Sequence, residues 1–382
     1  MTGLAALVGD VDAFFERYLG RKALHRRGVA REVASLEDID RVITGSGLRA
    51  PGLRVVKDGT VLPKERYVSP STYGYAGLDD VVDPGKVAAL FRDGATIVLG
   101  TADVMLPRLH ELCKTIEMEL GHPVDANAYV APPGAQAFQV HCDAQDILVV
   151  QVHGDKRWTL FDHLEPDPAG GRMLPGLDAA ATEYTLREGD VLYVPRGMPH
   201  LVRTETSASI HVSISVNTLT WADLLTALTS QLLRSGAYAR PLPMGKDVAQ
   251  QVEPQLKQYV DELAAALADP GPDRLHRAIH GRTACTEGHR AGLLAEALLG
   301  TPPEPGQRIA LRPGTWPLIT GEGARARIEA AGRTFGVTAG VAGACRRLRD
   351  GALPVSELSP DPAEAVRIAE RLVELGLCTT SP

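Results

Sequence analysis

Between residues 125 and 218 the chain is a succession of short apolar runs cut by turn residues, with no helical period between them. The clearest runs cover 127–131, 147–152, 157–161, 191–194 and 210–216. Pro132-Pro133-Gly134, Gly154-Asp155, Pro168-Ala169-Gly170-Gly171, Gly189-Asp190 and Pro195-Arg196-Gly197 separate them. Short strands at regular turn spacing, without long intervening helices, predict an antiparallel sandwich or barrel.

The flanks have a different texture. Residues 11–19 form an amphipathic helix, with Phe14, Phe15 and Tyr18 on one side. Asp58-Gly59 between apolar pairs predicts a hairpin. A buried strand over 95–99 and a helix over 106–120 follow. Beyond 219 the pattern turns helical, over 221–236, 248–267 and 282–299, until Pro302-Pro303-Glu304-Pro305-Gly306 breaks it. Strands near 308–312 and 326–337 and helices at 339–349 and 361–375 close the chain. The expectation is a mixed β and α protein with domains at 1–218, 219–305 and 306–382.

Composition removes several function classes. Charged residues are 23% and hydrophobic ones 44% of the 382, the balance of an ordered globular chain. No apolar run approaches the ~20 residues of a membrane helix. The N-terminus lacks a basic lead-in and is not read as a secretory signal. The net charge of −7 advertises no nucleic-acid partner. Five cysteines without a CxxC pair argue against a disulfide framework, so the expected location is cytoplasmic.

Chemistry concentrates in the strand-rich middle. His141 and Asp143 are two apart, so a regular strand projects both to one face and Cys142 to the other. His200 ends Pro195-Arg196-Gly197-Met198-Pro199-His200, a turn able to present it at a sheet end. Two imidazoles and one carboxylate are the facial triad of non-haem Fe(II), which leaves other metal positions open. A second cluster, His276, His280, Cys285 and His289, has spacing that could suit zinc. Gly281 interrupts its helix and no second Cys completes the set, so surface histidines are expected.

The motifs around the triad resemble those of Jumonji-C oxygenases of the ribosomal-oxygenase, or cupin-4, family. The resemblance is carried by NAYVAPPGAQAFQVHCD (127–143), ILVVQVHGDKRW (147–158), GDVLYVPRGMPH (189–200) and IHVSISV (210–216). FFERYLGRKAL (14–24) is similar to the family's leading helix, with Ala23 where the family has proline. Membership implies a double-stranded β-helix (cupin, jelly-roll) catalytic domain using Fe(II), with 2-oxoglutarate and O2 as cosubstrates.

Further expectations follow from the resemblance. Lys156, fifteen residues after His141, stands at the family's place for the cation that meets the far carboxylate of 2-oxoglutarate. Arg157 would face away on a regular strand. Tyr129, Asn127 and Ser213 stand where the family places polar cosubstrate contacts. Trp158 is read as packing and Cys142 as lying behind the site. The implied activity is hydroxylation of an amino-acid side chain in a protein or peptide.

Other expectations concern the flanks and the rivals. The 219–300 stretch corresponds to the family's dimerisation region, hence a homodimer. The segment 306–382 looks like a winged-helix module. Its ten Arg against eight acidic residues give only +2, so docking is favoured over DNA binding. Two rivals stay open: a metal-dependent cupin enzyme of another reaction class on a small molecule, and a non-enzymatic cupin binding protein. Lys156 separates the first from the oxygenase, because such enzymes need no cation there.

Overall fold

The computed structural model describes residues 3–381 apart from 31, 46, 74–75, 166–170, 235, 237, 281–297, 299–301, 322, 324–325 and 331–332. The chain forms two compact units, Met1–Thr218 and Leu219–Pro382. The first contains helices α1 (Gly3–Val8), α2 (Val11–Arg17), α3 (Leu36–Gly45), α4 (Pro84–Arg92), α5 (Ala102–Met105) and α6 (Pro107–Leu120). Its early strands are β1 (Leu24–Arg26), β2 (Leu53–Lys57), β3 (Thr60–Val61), β4 (Val68–Tyr73), β5 (Ala76–Val82) and β6 (Thr96–Leu99). Then come β7 (Val124–Ala131), β8 (His141–Cys142), β9 (Asp146–His153), β10 (Lys156–Phe161) and β11 (Arg172–Met173). The last are β12 (Ala181–Leu186), β13 (Val191–Val194), β14 (His200–Arg203) and β15 (Ser209–Val216).

Local chemistry explains these starts and turns. The Asp10 carboxylate accepts the Ala13 N–H at 2.9 Å and caps α2, which buries Phe14. Asp58 and Gly59 both adopt positive φ, the geometry of the tight turn returning β2 as β3. In α6 a buried Lys114–Glu117 pair at 3.0 Å also takes the Val124 N–H on Glu117 Oε2, which ties the helix to the start of β7.

Two antiparallel sheets dominate. The larger has the order β1-β13-β9-β15-β7-β6-β2-β3 and the smaller β11-β8-β14-β10-β12. Alternation along each strand assigns its faces. Ile210, Val212, Ile214 and Val216 of β15 join Ala126 and Ala128 of β7 in a core with Leu109, Leu112 and Ile116 of α6. The intervening residues, His211, Ser213, Ser215, Asp125, Asn127 and Tyr129, line a cavity. On β9, Leu148 and Val150 face the helices, whereas Ile147 and Val149 pack with Trp158, Leu160 and Leu186 of the smaller sheet. The larger sheet is thus covered by helices on one face and by the smaller sheet on the other. Burial of both faces is why 147–150 is an unbroken apolar run.

The second unit starts with α7 (Trp221–Leu233), opened by a capping box between Thr220 and Asp223. It continues through α8 (Val248–Ala268) and α9 (Pro272–His280). Strands Arg308–Leu311, Leu318–Thr320, Arg327–Ala330 and Arg333–Gly336 follow, with helices Ala339–Arg347 and Pro362–Glu374. Ile309, Ile328, Val341, Ile368 and Leu372 are among its buried core residues. Arg277 of α9 forms a two-pronged ion pair with Glu329 at 2.9 and 2.8 Å. The helix expected over 282–299 lies outside the described residues except for 298. Among the described residues, no helix is long and apolar enough to cross a membrane.

Candidate metal centre

The regular strand expected through His141 and Asp143 stops one residue early. β8 ends at Cys142, and Asp143 lies in the loop that leads into β9. A cross-loop contact sets that loop instead: the Gly197 N–H donates to the Asp143 carbonyl at 3.0 Å. Gly197 has φ +78°, and a Cβ there would lie 2.5 Å from the Glu165 carbonyl oxygen, so the turn requires glycine. The Arg196 side chain donates to the Ala144 carbonyl at 3.0 Å, and its N–H to Asp146 at 3.1 Å. These bonds staple the Asp143 loop to the turn that delivers His200.

His200 opens β14 directly opposite His141 on β8. The two rings are 4.4 Å apart between centroids. Asp143 reaches both, with Oδ2 3.4 Å from His200 Nε2 and Oδ1 3.9 Å from His141 Nε2. His141 Nδ1 is 2.8 Å from the Gln139 carbonyl, and His200 Nδ1 is 3.1 Å from that of Met198. A carbonyl fixes the proton on Nδ1, so the Nε2 lone pairs converge on Asp143. Burial, with the neighbouring His141 next, lowers the His200 pKa to about 4 and keeps the ring in its metal-ligating neutral form. Among the described residues this is the one His/Cys/Asp/Glu group close enough to share an ion.

The triad faces a cavity of about 740 Å³ between the sheets. Lys156, Tyr129, Asn127 and Ser213 all line it. Lys156 is only 5% exposed, and its Nζ lies 3.1 Å from His211 Nδ1. Desolvation lowers its pKa to about 7 and that of His211 well below the usual imidazole range. The neutral imidazole therefore accepts a hydrogen bond from the lysine and supplies no counter-charge. Tyr129 stacks on His211 at 4.7 Å, and burial raises its phenol to about 12, so it remains a donor. Ser213 pairs with Asn127 in the next row of the sheet, where Asn127 Oδ1 accepts the Thr101 N–H at 3.1 Å.

Arg157 faces away, held by Glu183 at 3.3 Å and Glu205 at 2.5 Å. Trp158 packs between the sheets and stacks on His200, with centroids 5.5 Å apart. Cys142 is fully buried, and burial pushes its thiol up. Sequence reasoning missed His211, which had been read only as part of a strand. Its one signal was the alternation His211, Ser213, Ser215 on an otherwise apolar strand.

The second histidine cluster is corrected in part. His276 and His280 are half-buried rather than on the surface, with rings 4.6 Å apart. His280 stacks on Trp316 at 4.2 Å and 13°, an apolar partner that a surface reading does not supply. Cys285 and His289 lie outside the described residues.

With this geometry in place, the comparisons are specific. The JmjC domain profile matches residues 102–224. A bifunctional lysine-specific demethylase and histidyl-hydroxylase, NO66, of Drosophila mojavensis is 30% identical over 240 residues, 58% of this chain and 25% of that protein. NO66 of Drosophila sechellia is 35% identical over 174 residues, 42% of this chain and 27% of that protein. The aligned parts are thus about a quarter of these relatives. The Escherichia coli ribosomal oxygenase YcfD, solved with cobalt and 2-oxoglutarate, shares the fold at TM-score 0.56 and 16% identity, covering 98% of this chain and 99% of that one.

Proposed function

We propose that this chain is an Fe(II)- and 2-oxoglutarate-dependent hydroxylase acting on an amino-acid side chain of a protein or peptide. The observation that carries the reading is one cavity holding both an open His-Asp-His triad and a buried lysine with no counter-ion among the described residues. The donor set fits ferrous iron: two neutral imidazoles and a carboxylate converge, and other positions are left for cosubstrate. The lysine fits a dianion, because a buried cation whose partner is a neutral ring gains most from an anionic ligand. His141, Asp143 and His200 would hold the metal and Lys156 the far carboxylate, with Tyr129, Asn127 and Ser213 along the cosubstrate.

Bound iron supplies the activation of O2, and the overall reaction balances as R–H + O2 + 2-oxoglutarate → R–OH + succinate + CO2. The protein's own work is to orient these groups and exclude water. In the test, succinate forms only when Fe(II), O2 and 2-oxoglutarate are all present, and a peptide mixture acquires single oxygen atoms by mass spectrometry. No 2-oxoglutarate consumption with any peptide favours a cupin of another class.

Lys156 also sets a pH dependence. Its ammonium must be present to receive the carboxylate, and the free site loses that proton as pH rises through about 7. Affinity for 2-oxoglutarate is then highest below pH 7 and falls about tenfold per unit above it, until the pKa of the complex is reached. Calorimetric titration of Co(II)-loaded enzyme between pH 6.5 and 9.0 measures this. A flat profile removes Lys156 as the anchor.

The remaining elements extend the same reading. The antiparallel sheets on either side of the cavity support a double-stranded β-helix. Helices and short antiparallel strands after residue 306 support a winged-helix-like module, for which +2 favours protein docking. Trp221 and Leu225 of α7 and Leu256 and Val260 of α8 are exposed, which supports homodimerisation through 219–305. A cytoplasmic location suits a site that must keep iron ferrous. The four described cysteines are free thiols, in keeping with it.

A further inference from the structure

Asp143 is the one member of the triad outside a strand, so the pairing of β8 with β14 fixes His141 and His200 but not the carboxylate between them. Its placement rests on residues 143–146, and each of these is tied to a segment from elsewhere in the fold. The Asp143 carbonyl accepts the Gly197 N–H, and the Ala144 carbonyl the Arg196 Nε–H, both at 3.0 Å. Gln145 donates to Asn217 Oδ1 at 3.4 Å. Asp146 then opens β9, in register with Val216 of β15.

Asp146 carries the most of these ties. It is 7% exposed, and its carboxylate gathers donors from three places. Oδ1 accepts the Tyr193 hydroxyl of β13 and the Arg196 N–H at 3.1 Å, and Oδ2 accepts the Thr218 hydroxyl at 3.0 Å. Tyr193 is fixed in turn: its hydroxyl accepts the Gly20 N–H at 2.8 Å, and Phe14 packs edge-on against its ring at 4.8 Å. Burial, then the charge of Asp146, raises the phenol well above its usual range, so it stays a donor. No lysine or arginine among the described residues forms an ion pair with Asp146, so the buried charge is held by neutral donors. Asp146 does not line the metal cavity. It borders a separate one of about 470 Å³, with Phe15, Leu120 and Arg196.

We propose that Asp146 is the positioning residue of the metal centre: by bridging the 143–146 loop to the turn before His200, it sets where the Asp143 carboxylate stands between the two imidazoles. This rests on reading His141, Asp143 and His200 as metal ligands and adds the group that fixes their spacing. Loss of a partner one step outside a coordination set weakens metal binding by roughly tenfold to a hundredfold.

The test uses the full chain titrated with Co(II). Asp146→Ala should bind the ion at least ~tenfold more weakly by calorimetry and shift the visible absorption bands of the bound ion. Asp146→Asn should lie between this variant and wild type, because its remaining oxygen still accepts from Tyr193 and Arg196. Leu109→Ala, a core truncation on α6, controls for stability: it should lower Tm and leave Co(II) affinity and spectrum as in wild type. If Asp146→Ala does not fold, Thr218 decides. Thr218→Val, which deletes the donor to Oδ2, should weaken Co(II) severalfold, and Thr218→Ser, which keeps the hydroxyl, should not. Wild-type affinity and spectrum in Asp146→Ala, as large a loss of Co(II) in Leu109→Ala, or equal affinities in the two Thr218 variants overturns the proposal. Wild-type protein that takes up no Co(II) overturns the metal-centre reading, and this proposal with it.

Discussion

Asp143→Ala should abolish Fe(II)-dependent turnover and most metal binding. The carboxylate is the one formal negative charge of the triad, and both Nε2 atoms face it at 3.4 and 3.9 Å. Without it the two imidazoles hold a divalent ion without charge compensation. A metal contribution of several kcal/mol corresponds to a loss of about a thousandfold or more. His141→Ala and His200→Ala should fall by similar factors. The three effects should not add, because each variant disables the same centre. Zn(II) should occupy the wild-type site by affinity order, yet it lacks the redox chemistry to support turnover. The measurements are metal content by atomic emission and succinate formation. Full Fe(II)-dependent turnover in any of the three variants removes the triad from the reaction.

The distribution of what could be foreseen follows from local physics. Strands β9, β13 and β15 were legible because both their faces are buried, which leaves continuous apolar runs. The sheet that carries His141 and His200 was harder to read. β12 exposes most of Ala181–Leu186, β8 is two residues long, and β14 begins on His200 itself. Pairing with β10 holds β12 and β14 in place, and no short window of sequence expresses that. The triad was legible because its residue types and turn chemistry are local. The role of His211 was not, since it depends on β15 meeting the Lys156 side chain from the opposite sheet. His276 and His280 were misjudged for the same reason: their burial depends on Trp316, thirty-six residues after His280.

Lys156→Met should weaken 2-oxoglutarate binding while stabilising the ligand-free protein. Methionine keeps most of the side-chain volume and removes the charge. A buried anion that loses its partner costs roughly 2–5 kcal/mol, about thirtyfold to several-thousandfold in affinity. Metal content should be unchanged, because His141, Asp143 and His200 are untouched. The stability effect has the opposite sign for a calculable reason. The folded pKa of Lys156 is lowered from 10.5 to about 7, so between these values the unfolded chain binds more protons. The penalty is therefore full below about pH 7 and fades as pH rises towards 10.5. Removing the lysine should raise Tm at pH 7 and have less effect at pH 10. Added 2-oxoglutarate should raise the Tm of Co(II)-loaded wild type and barely move that of the variant. His211→Phe retains a ring against Tyr129 but withdraws the acceptor from Lys156, so it should weaken 2-oxoglutarate less than Lys156→Met does. A lysine that serves only packing predicts the reverse pairing, with a lower Tm and unchanged 2-oxoglutarate affinity. The two measurements together therefore separate anchor from filler.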